Sequence, residues 1–299
     1  MAPSLGLPEA FVLNERKVDC ECHRPRDFAA GEFYGDVVRA HASPQFVLSE
    51  IRHDRERALP THAHQTAYFS LLVEGRYAET YDGRLHEYDP LTVWWHRPGV
   101  VHEDAVGHSG GRFLNVELTG EGTDALAQAG PSRRDFHEHG TRVVWLACRL
   151  LRELRQWQPC SALVAENLAL EMAGCALRHP EPPASPPPAW LDRVVQKLHD
   201  EPDRRHYTST LAREAGVHPV YLASVFRRIH RQTIGEYLRA LRVRQAANLL
   251  RRADLPLVQA AAMLGFADQA HFTRIFGDAV GMTPSAFRRL LRPSQTAEP

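Results

Sequence analysis

The sequence predicts an α+β multidomain chain in which a compact β domain and a helical hairpin precede an all-α domain. Three observations predict it. Short apolar alternations punctuated by turn residues run from Gln45 to Leu118, the texture of a small sandwich or barrel. Six prolines fall within the nine residues Pro180–Pro188, a stretch that neither continues a helix nor pairs in a sheet and so reads as a semi-rigid linker. Beyond it no strand pattern remains, and apolar residues recur at i, i+3 and i+4 almost to the end.

Length and composition agree with this division. A chain of 299 residues suits about two domains. Its 43% hydrophobic and 24% charged residues exclude wholesale disorder, collagen-like repeats and coiled-coil fibre. No apolar run approaches the roughly 18 residues of a membrane span, and Met1–Asn14 lacks the basic start of a signal peptide. The five cysteines have no C-x-x-C spacing and read as free thiols. The expectation is a cytoplasmic protein with no membrane partner. Cys20-Glu-Cys-His23 has no second pair to complete a metal site and reads as ordinary chain.

In chain order, residues 1–140 form the β domain, with candidate strands Phe46–Ile51, Tyr68–Val73, Tyr77–Tyr81, Leu91–Trp95 and Phe113–Leu118. Glu74-Gly75 and Asp82-Gly83 mark turns between them. Residues 141–179 form a helical hairpin, Thr141–Trp157 and Ser161–Arg178, broken at Pro159. Val144, Ala147, Cys148, Leu151 and Leu154 give its first helix one apolar stripe, and the hairpin is the expected dimerisation element of a homodimer. Residues 180–189 are the linker, 190–292 the helical domain and 293–299 a tail.

The zero net charge conceals an asymmetry. From Trp190 onward there are 17 Lys and Arg against 10 Asp and Glu, and before it 19 against 26. A basic helical domain is the electrostatic footprint of a polyanion binder. Within it, Leu211–Val217 reads as a helix stopped at Gly216, followed by a second helix from Pro219. Leu222, Val225, Phe226 and Ile229 form that second helix's apolar stripe, leaving Val220, Ser224 and Arg227 outward. About 49 to 50 residues later the unit recurs, with Gly265-Phe266 for Gly216-Val217. In the repeat, Phe272, Ile275, Phe276 and Ala279 are the expected buried stripe and Ala270, Thr273 and Arg274 the exposed face, with Gln269 near the helix start. Helix, short turn, helix is the geometry that places a second helix in a DNA major groove. Between the units, Ile234–Arg252 reads as a helix with two apolar stripes, a rigid spacer held from both sides.

The stretch Trp190–Leu291 resembles the DNA-binding domain of the AraC/XylS family of bacterial transcription regulators. The resemblance rests on Ala261-Ala-Met-Leu-Gly-Phe-Ala-Asp-Gln-Ala-His-Phe-Thr-Arg-Ile-Phe276 and Gly281-Met-Thr-Pro-Ser-Ala-Phe-Arg288. The first unit departs from the family at Arg231, where glycine is usual. The resemblance implies a double helix-turn-helix protein that binds double-stranded DNA as an activator or repressor, with RNA polymerase as a further partner for an activator. By resemblance Val220, Ala223 and Ser224 occupy reading positions of the first recognition helix, where small side chains meet thymine methyls. Gln269, Ala270, Thr273 and Arg274 face outward on the second, Arg274 suiting guanine and Gln269 adenine. Arg227 and Arg228 suit phosphates.

His62-Ala-His64, followed by Pro98-Gly-Val-Val-His102, resembles the two motifs of cupin barrels, which serve as sensing domains in such regulators. The resemblance makes residues 1–140 a cupin-like β-barrel. In metal-binding cupins these three histidines and a Glu four residues after the second are ligands, and Tyr68 stands at that last position here. His62 and His64 share one side of an extended strand, so with His102 they form a candidate site for a divalent metal. With the Glu replaced, a small organic effector is the preferred reading and no cofactor is certain. Tyr68, Glu79, Trp94, Trp95, His96 and the three histidines are candidate lining residues, with parity unable to say which tryptophan faces inward.

No catalytic triad, Cys-His pair or phosphate-cradling loop is visible, so no catalytic residue and no enzyme is expected. The reading is a DNA-binding regulator controlled by a small-molecule effector, acting at the nucleoid. Its rivals are a metal-dependent cupin enzyme or metal sensor fused to a DNA-binding module, and a DNA-binding protein with a dead pocket.

Overall fold

The structure, a computed structural model, describes residues 25–120, 123, 136–178, 187–252 and 254–292. Most of the proline linker, the tail and Cys20–His23 therefore lie outside the described residues. Among the described residues nine strands come first: β1 (Arg26–Phe28), β2 (Asp36–Ala42), β3 (Phe46–His53), β4 (Arg57–His64), β5 (Ala67–Tyr81), β6 (Arg84–Tyr88), β7 (Thr92–His96), β8 (His102–Leu118) and β9 (Phe136–His139). The expected strands at 68–73 and 77–81 are one strand of 15 residues. Glu74-Gly75 does not turn the chain, because Gly75 pairs across to Gly111 and the ladder continues through bulges on either side of it. Only glycine fits: φ is +96° and a Cβ would stand 2.2 Å from the Gly110 carbonyl oxygen. Asp82-Gly83 does form a tight hairpin turn, with φ of 49° and 70° between β5 and β6.

The strand order is β1-β4-β8-β5-β7-β9, with β3 carrying β2 on β8 and β6 on β5. This path does not return to its start, so among the described residues the expected barrel is an open sheet. Its physical basis is the pair β5–β8. These two long strands carry different neighbours along their lengths, β3 and β7 at one end and β4 and β6 at the other. The bulges between those ends let the two halves face one another, and side chains from both line one cavity.

Helices follow among the described residues: α1 (Arg142–Arg155), α2 (Ser161–Leu177), α3 (Ala189–Asp200), α4 (Thr208–Ala215), α5 (Pro219–His230), α6 (Ile234–Leu249), α7 (Leu257–Met263), α8 (Gln269–Val280) and α9 (Pro284–Leu291). Nine of the 14 residues of α1 are buried, more than a single stripe supplies. The helix lies between two partners. One continuous apolar cluster runs from Leu71, Val93 and Leu114 of the sheet through Leu146 and Leu151 of α1 to Phe272, Phe276 and Phe287 of α8 and α9. The bundle α3–α5 has a separate core of Leu191, Leu198, Leu211, Leu222 and Phe226.

Helix α6 joins the two cores end to end. Ile234 with Tyr237 and Leu238 packs on the α3–α5 core, while Val243, Ala246 and Ala247 enter the cluster that runs from the sheet to α8 and α9. A capping box between Thr233 and Glu236 starts the helix, and Leu250 caps it two residues short of the expected Arg252. Arg155 ties three layers together at the end of α1. Its Nε donates to Glu50 of β3 at 3.1 Å and its Nη1 to the Leu290 carbonyl of α9. Glu50 is fully buried, with Arg39 at 3.4 Å and Arg112 at 3.8 Å as its remaining cations.

Two stability predictions follow from this wiring. Arg155→Ala leaves the buried Glu50 short of its best partner and is expected to cost about 3–5 kcal/mol in chemical denaturation. Arg231, the C-cap of α5, adopts φ of 57° where the second unit has Gly281 at 75°. Arg231→Gly is expected to stabilise the protein by about 1 kcal/mol, since a side chain in the left-handed region is strained; thermal melts of the two proteins check it.

Candidate functional site

The first candidate site is the pair of helices α5 and α8. Helix α4 stops at Gly216 in the left-handed conformation, and Pro219 at the first turn starts α5 behind an N-cap at His218. Leu222, Val225 and Phe226 are buried, which leaves Val220, Ala223, Ser224, Arg227 and Arg228 exposed. Helix α8 begins at Asp268, whose carboxylate accepts the His271 amide at 2.7 Å. Phe272, Phe276 and Val280 are buried. Gln269, Ala270 and Arg274 are exposed as expected, Thr273 is half-buried, and Ala279 is exposed with Val280 taking its expected place inside. The phase shift arises because α8 closes on α1 at its C-terminal end, beside Arg142, Trp145 and Leu146. Arg274 meets Asp278 at 3.8 Å in an exposed i,i+4 pair, which is weak and easily exchanged for a phosphate or base.

The second site is a cavity of about 40 Å³ between the halves of the sheet. His62 and His64 of β4, Tyr68 of β5, Trp94 of β7 and His102 of β8, all candidate lining residues, are brought together in its wall. Glu79 and His96 sit behind this wall. His96 Nε2 lies 2.7 Å from Glu79 Oε1, and Tyr88 donates to Glu79 Oε2 at 3.1 Å. Trp95 is a correction: it faces the opposite side of the sheet and packs on Phe69 at 4.5 Å in the core over α1. Alternation along β7 sends only one of the two tryptophans inward, and burial on both faces hid which one.

Sequence reasoning missed Asp104 and the aromatic cover of Phe33 and Tyr34. Asp104 follows His102 by two residues on β8, so strand parity alone could have placed both on one face. Phe33 and Tyr34 come from the loop between β1 and β2, with no local pattern to mark them. Glu117 pins that loop, accepting the Gly31 amide at 2.7 Å and the Thr66 hydroxyl at 2.8 Å.

Hydrogen bonding orients the histidines. The His62 ring reaches the Pro60 carbonyl through Nδ1 at 2.9 Å, and the His102 ring the Val100 carbonyl through Nδ1 at 2.9 Å. A carbonyl only accepts, so each Nδ1 carries the proton and each Nε2 keeps its lone pair. His64 Nδ1 is buried without a hydrogen-bond partner. Donor atoms of the three rings lie within 4.8 Å of one another.

Burial holds the rings neutral, His64 down to about 2 and His102 to about 4. The unfolded chain takes up these protons near the ordinary 6.5, so below that pH it binds more protons than the folded protein. The contribution of these two rings to stability is therefore expected to fall as pH drops from 6.5 toward 4, opposed by Glu117, whose carboxyl burial pushes up to about 7, as read by urea denaturation of wild type and ring variants across that range. His64→Gln and His102→Gln should each flatten the slope.

Several known proteins are similar to this chain. The helix-turn-helix domain family matches residues 211–290. A probable transcription factor of Proteus vulgaris, PqrA, is 38% identical over 99 residues, 33% of this chain and 77% of its own length. The regulatory protein SoxS of Salmonella typhimurium is 31% identical over 101 residues, 34% of this chain and 94% of its own. The HTH-type transcriptional regulator GlxA of Rhizobium meliloti is 29% identical over 219 residues, 73% of this chain and 64% of its own.

Proposed function

The chain belongs to the AraC/XylS family of DNA-binding transcription regulators, and on that premise we propose that it reads its operator with α5 and α8 under the control of an effector in the histidine cavity. The observation that carries this reading is the second unit. Helix α8 buries its aromatic face yet leaves Gln269, Ala270 and Arg274 on one open surface, the arrangement a major-groove reader needs. In this proposal Arg274 contacts guanine and Gln269 adenine, Val220, Ala223 and Ser224 meet thymine methyls, and Arg227 and Arg228 hold phosphates. The spacer α6, 16 residues or about 24 Å long, keeps the two readers on one face of the duplex. The α1–α2 hairpin pairs two copies, RNA polymerase is the further partner where the regulator activates, and the cytoplasm is its place of action. Among the described residues no helix is long and apolar enough to cross a membrane.

For the occupant of the cavity, a divalent metal ion has a specific observation in its favour over the organic effector expected from Tyr68. Sites for drug-sized molecules run to roughly 300 Å³ or more, against about 40 Å³ here. The residues fit an ion: two Nε2 lone pairs are fixed by backbone carbonyls, which is how metal-binding histidines are oriented, and the third ring has an unpartnered nitrogen. His62, His64 and His102 would hold it. Its charge would tie β4 to β8.

Arg274→Ala is expected to weaken specific operator binding by about 1–3 kcal/mol and relax preference at one base pair. Arg227→Ala should weaken binding to all sequences and reduce the salt slope by about one. Fluorescence anisotropy on operator and random duplexes across a salt series separates the two. Equal losses by Arg274→Ala on both duplexes would remove its base-reading role.

A further inference from the structure

Two buried carboxylates border the three histidines, and they are not equivalent. Glu79 is committed on both oxygens, to His96 at 2.7 Å and to the Tyr88 hydroxyl at 3.1 Å. Asp104 is not. Its Oδ1 is buried without a hydrogen-bond partner, and its Oδ2 lies 3.5 Å from His62 Nε2, both side chains being 3% exposed. Strand pairing builds this proximity. His62 sits directly across from His102 in the β4–β8 ladder, and Asp104 follows His102 on the same face. Donor atoms of Glu79, His102 and Asp104 lie within 4.8 Å, so Asp104 adjoins two of the three histidines.

A buried carboxylate with one oxygen left unpaired is unfavourable unless a proton or a cation meets it. The neighbouring rings do not serve as that cation, since each Nε2 of His62 and His102 is a lone-pair donor. We infer that Asp104 is the carboxylate ligand of a divalent transition-metal ion held with His62, His64 and His102, a three-nitrogen, one-oxygen set. The inference rests on the metal reading of the cavity. It relocates the acidic ligand from the position of Tyr68, on β5, to β8. Two donors about 2.1 Å from one tetrahedral ion stand roughly 3.4 Å apart, and the His62–Asp104 pair is already at 3.5 Å. Tyr68 plays the opposite part. Its hydroxyl lies 3.4 Å from His102 Nε2, where it competes for the lone pair the ion needs.

The test uses the full chain, stripped with chelator and titrated with Co²⁺ by calorimetry and visible absorption. Wild type is expected to take one ion per chain with a d–d spectrum of low coordination number. Asp104→Asn should weaken binding at least tenfold and alter that spectrum, whereas Tyr68→Phe should bind as tightly as wild type or more tightly. No stoichiometric binding by wild type would overturn the metal reading and this inference with it. Tight binding by wild type together with unchanged affinity and spectrum in Asp104→Asn would overturn the inference alone. Should Asp104→Asn fail to fold by circular dichroism, Asp104→Cys decides: a thiolate-to-cobalt charge-transfer band supports ligation, and its absence in a folded, cobalt-bound variant refutes it.

Discussion

The burial of α1 on two sides is the constraint on which the rest of this structure depends. One side of the helix covers Phe69, Leu71 and Trp95 of the sheet, and another meets Phe276 and Phe287 of the second helix-turn-helix unit. Trp145 lies 6.2 Å from Phe287, ring to ring. A helix with nine buried residues of 14 has no stable existence apart from both partners. The sheet and the second unit are thereby packed as one body, while α3–α5 keeps a core of its own. Arg155 adds a polar stitch at the same junction, joining β3 to α9 through the end of α1.

The same two strands that carry the cavity also carry this junction. Along β5, Tyr68 and Ser70 face the cavity while Phe69 and Leu71 face the core beneath α1. Along β8, Phe113 and Asn115 face the cavity while Leu114 and Val116 face that core. Strand alternation thus makes one backbone the shared wall of cavity and junction. In the proposed function, a shift of β8 by an occupant of the cavity would meet α1 within one layer of side chains, and α1 meets the second unit in the next. Close-packed layers transmit such a shift instead of absorbing it.

The sequence by itself determined the helical half almost completely. Gly216 and Gly265, the Phe272–Phe276 stripe and the recurrence of the unit are local patterns, and local patterns specify helices because each helix sets its face from neighbours three and four residues away. His62, His64 and His102 were legible through their resemblance to the two cupin motifs, with His62 and His64 on one side of an extended strand. What only the tertiary structure decided involves residues far apart in the chain. Which tryptophan turns inward depends on two buried faces that look alike in sequence. That Glu74-Gly75 continues a strand depends on Gly110 and Gly111 across the ladder. Asp104 became a candidate ligand only when β4 and β8 paired and Glu79 was found already engaged by His96 and Tyr88. The docking of α1 on α8 and α9 joins segments more than 100 residues apart, and no periodicity within either segment encodes the other as its partner. Periodicity states which face of an element is apolar; what covers that face is settled by the packing of the whole chain.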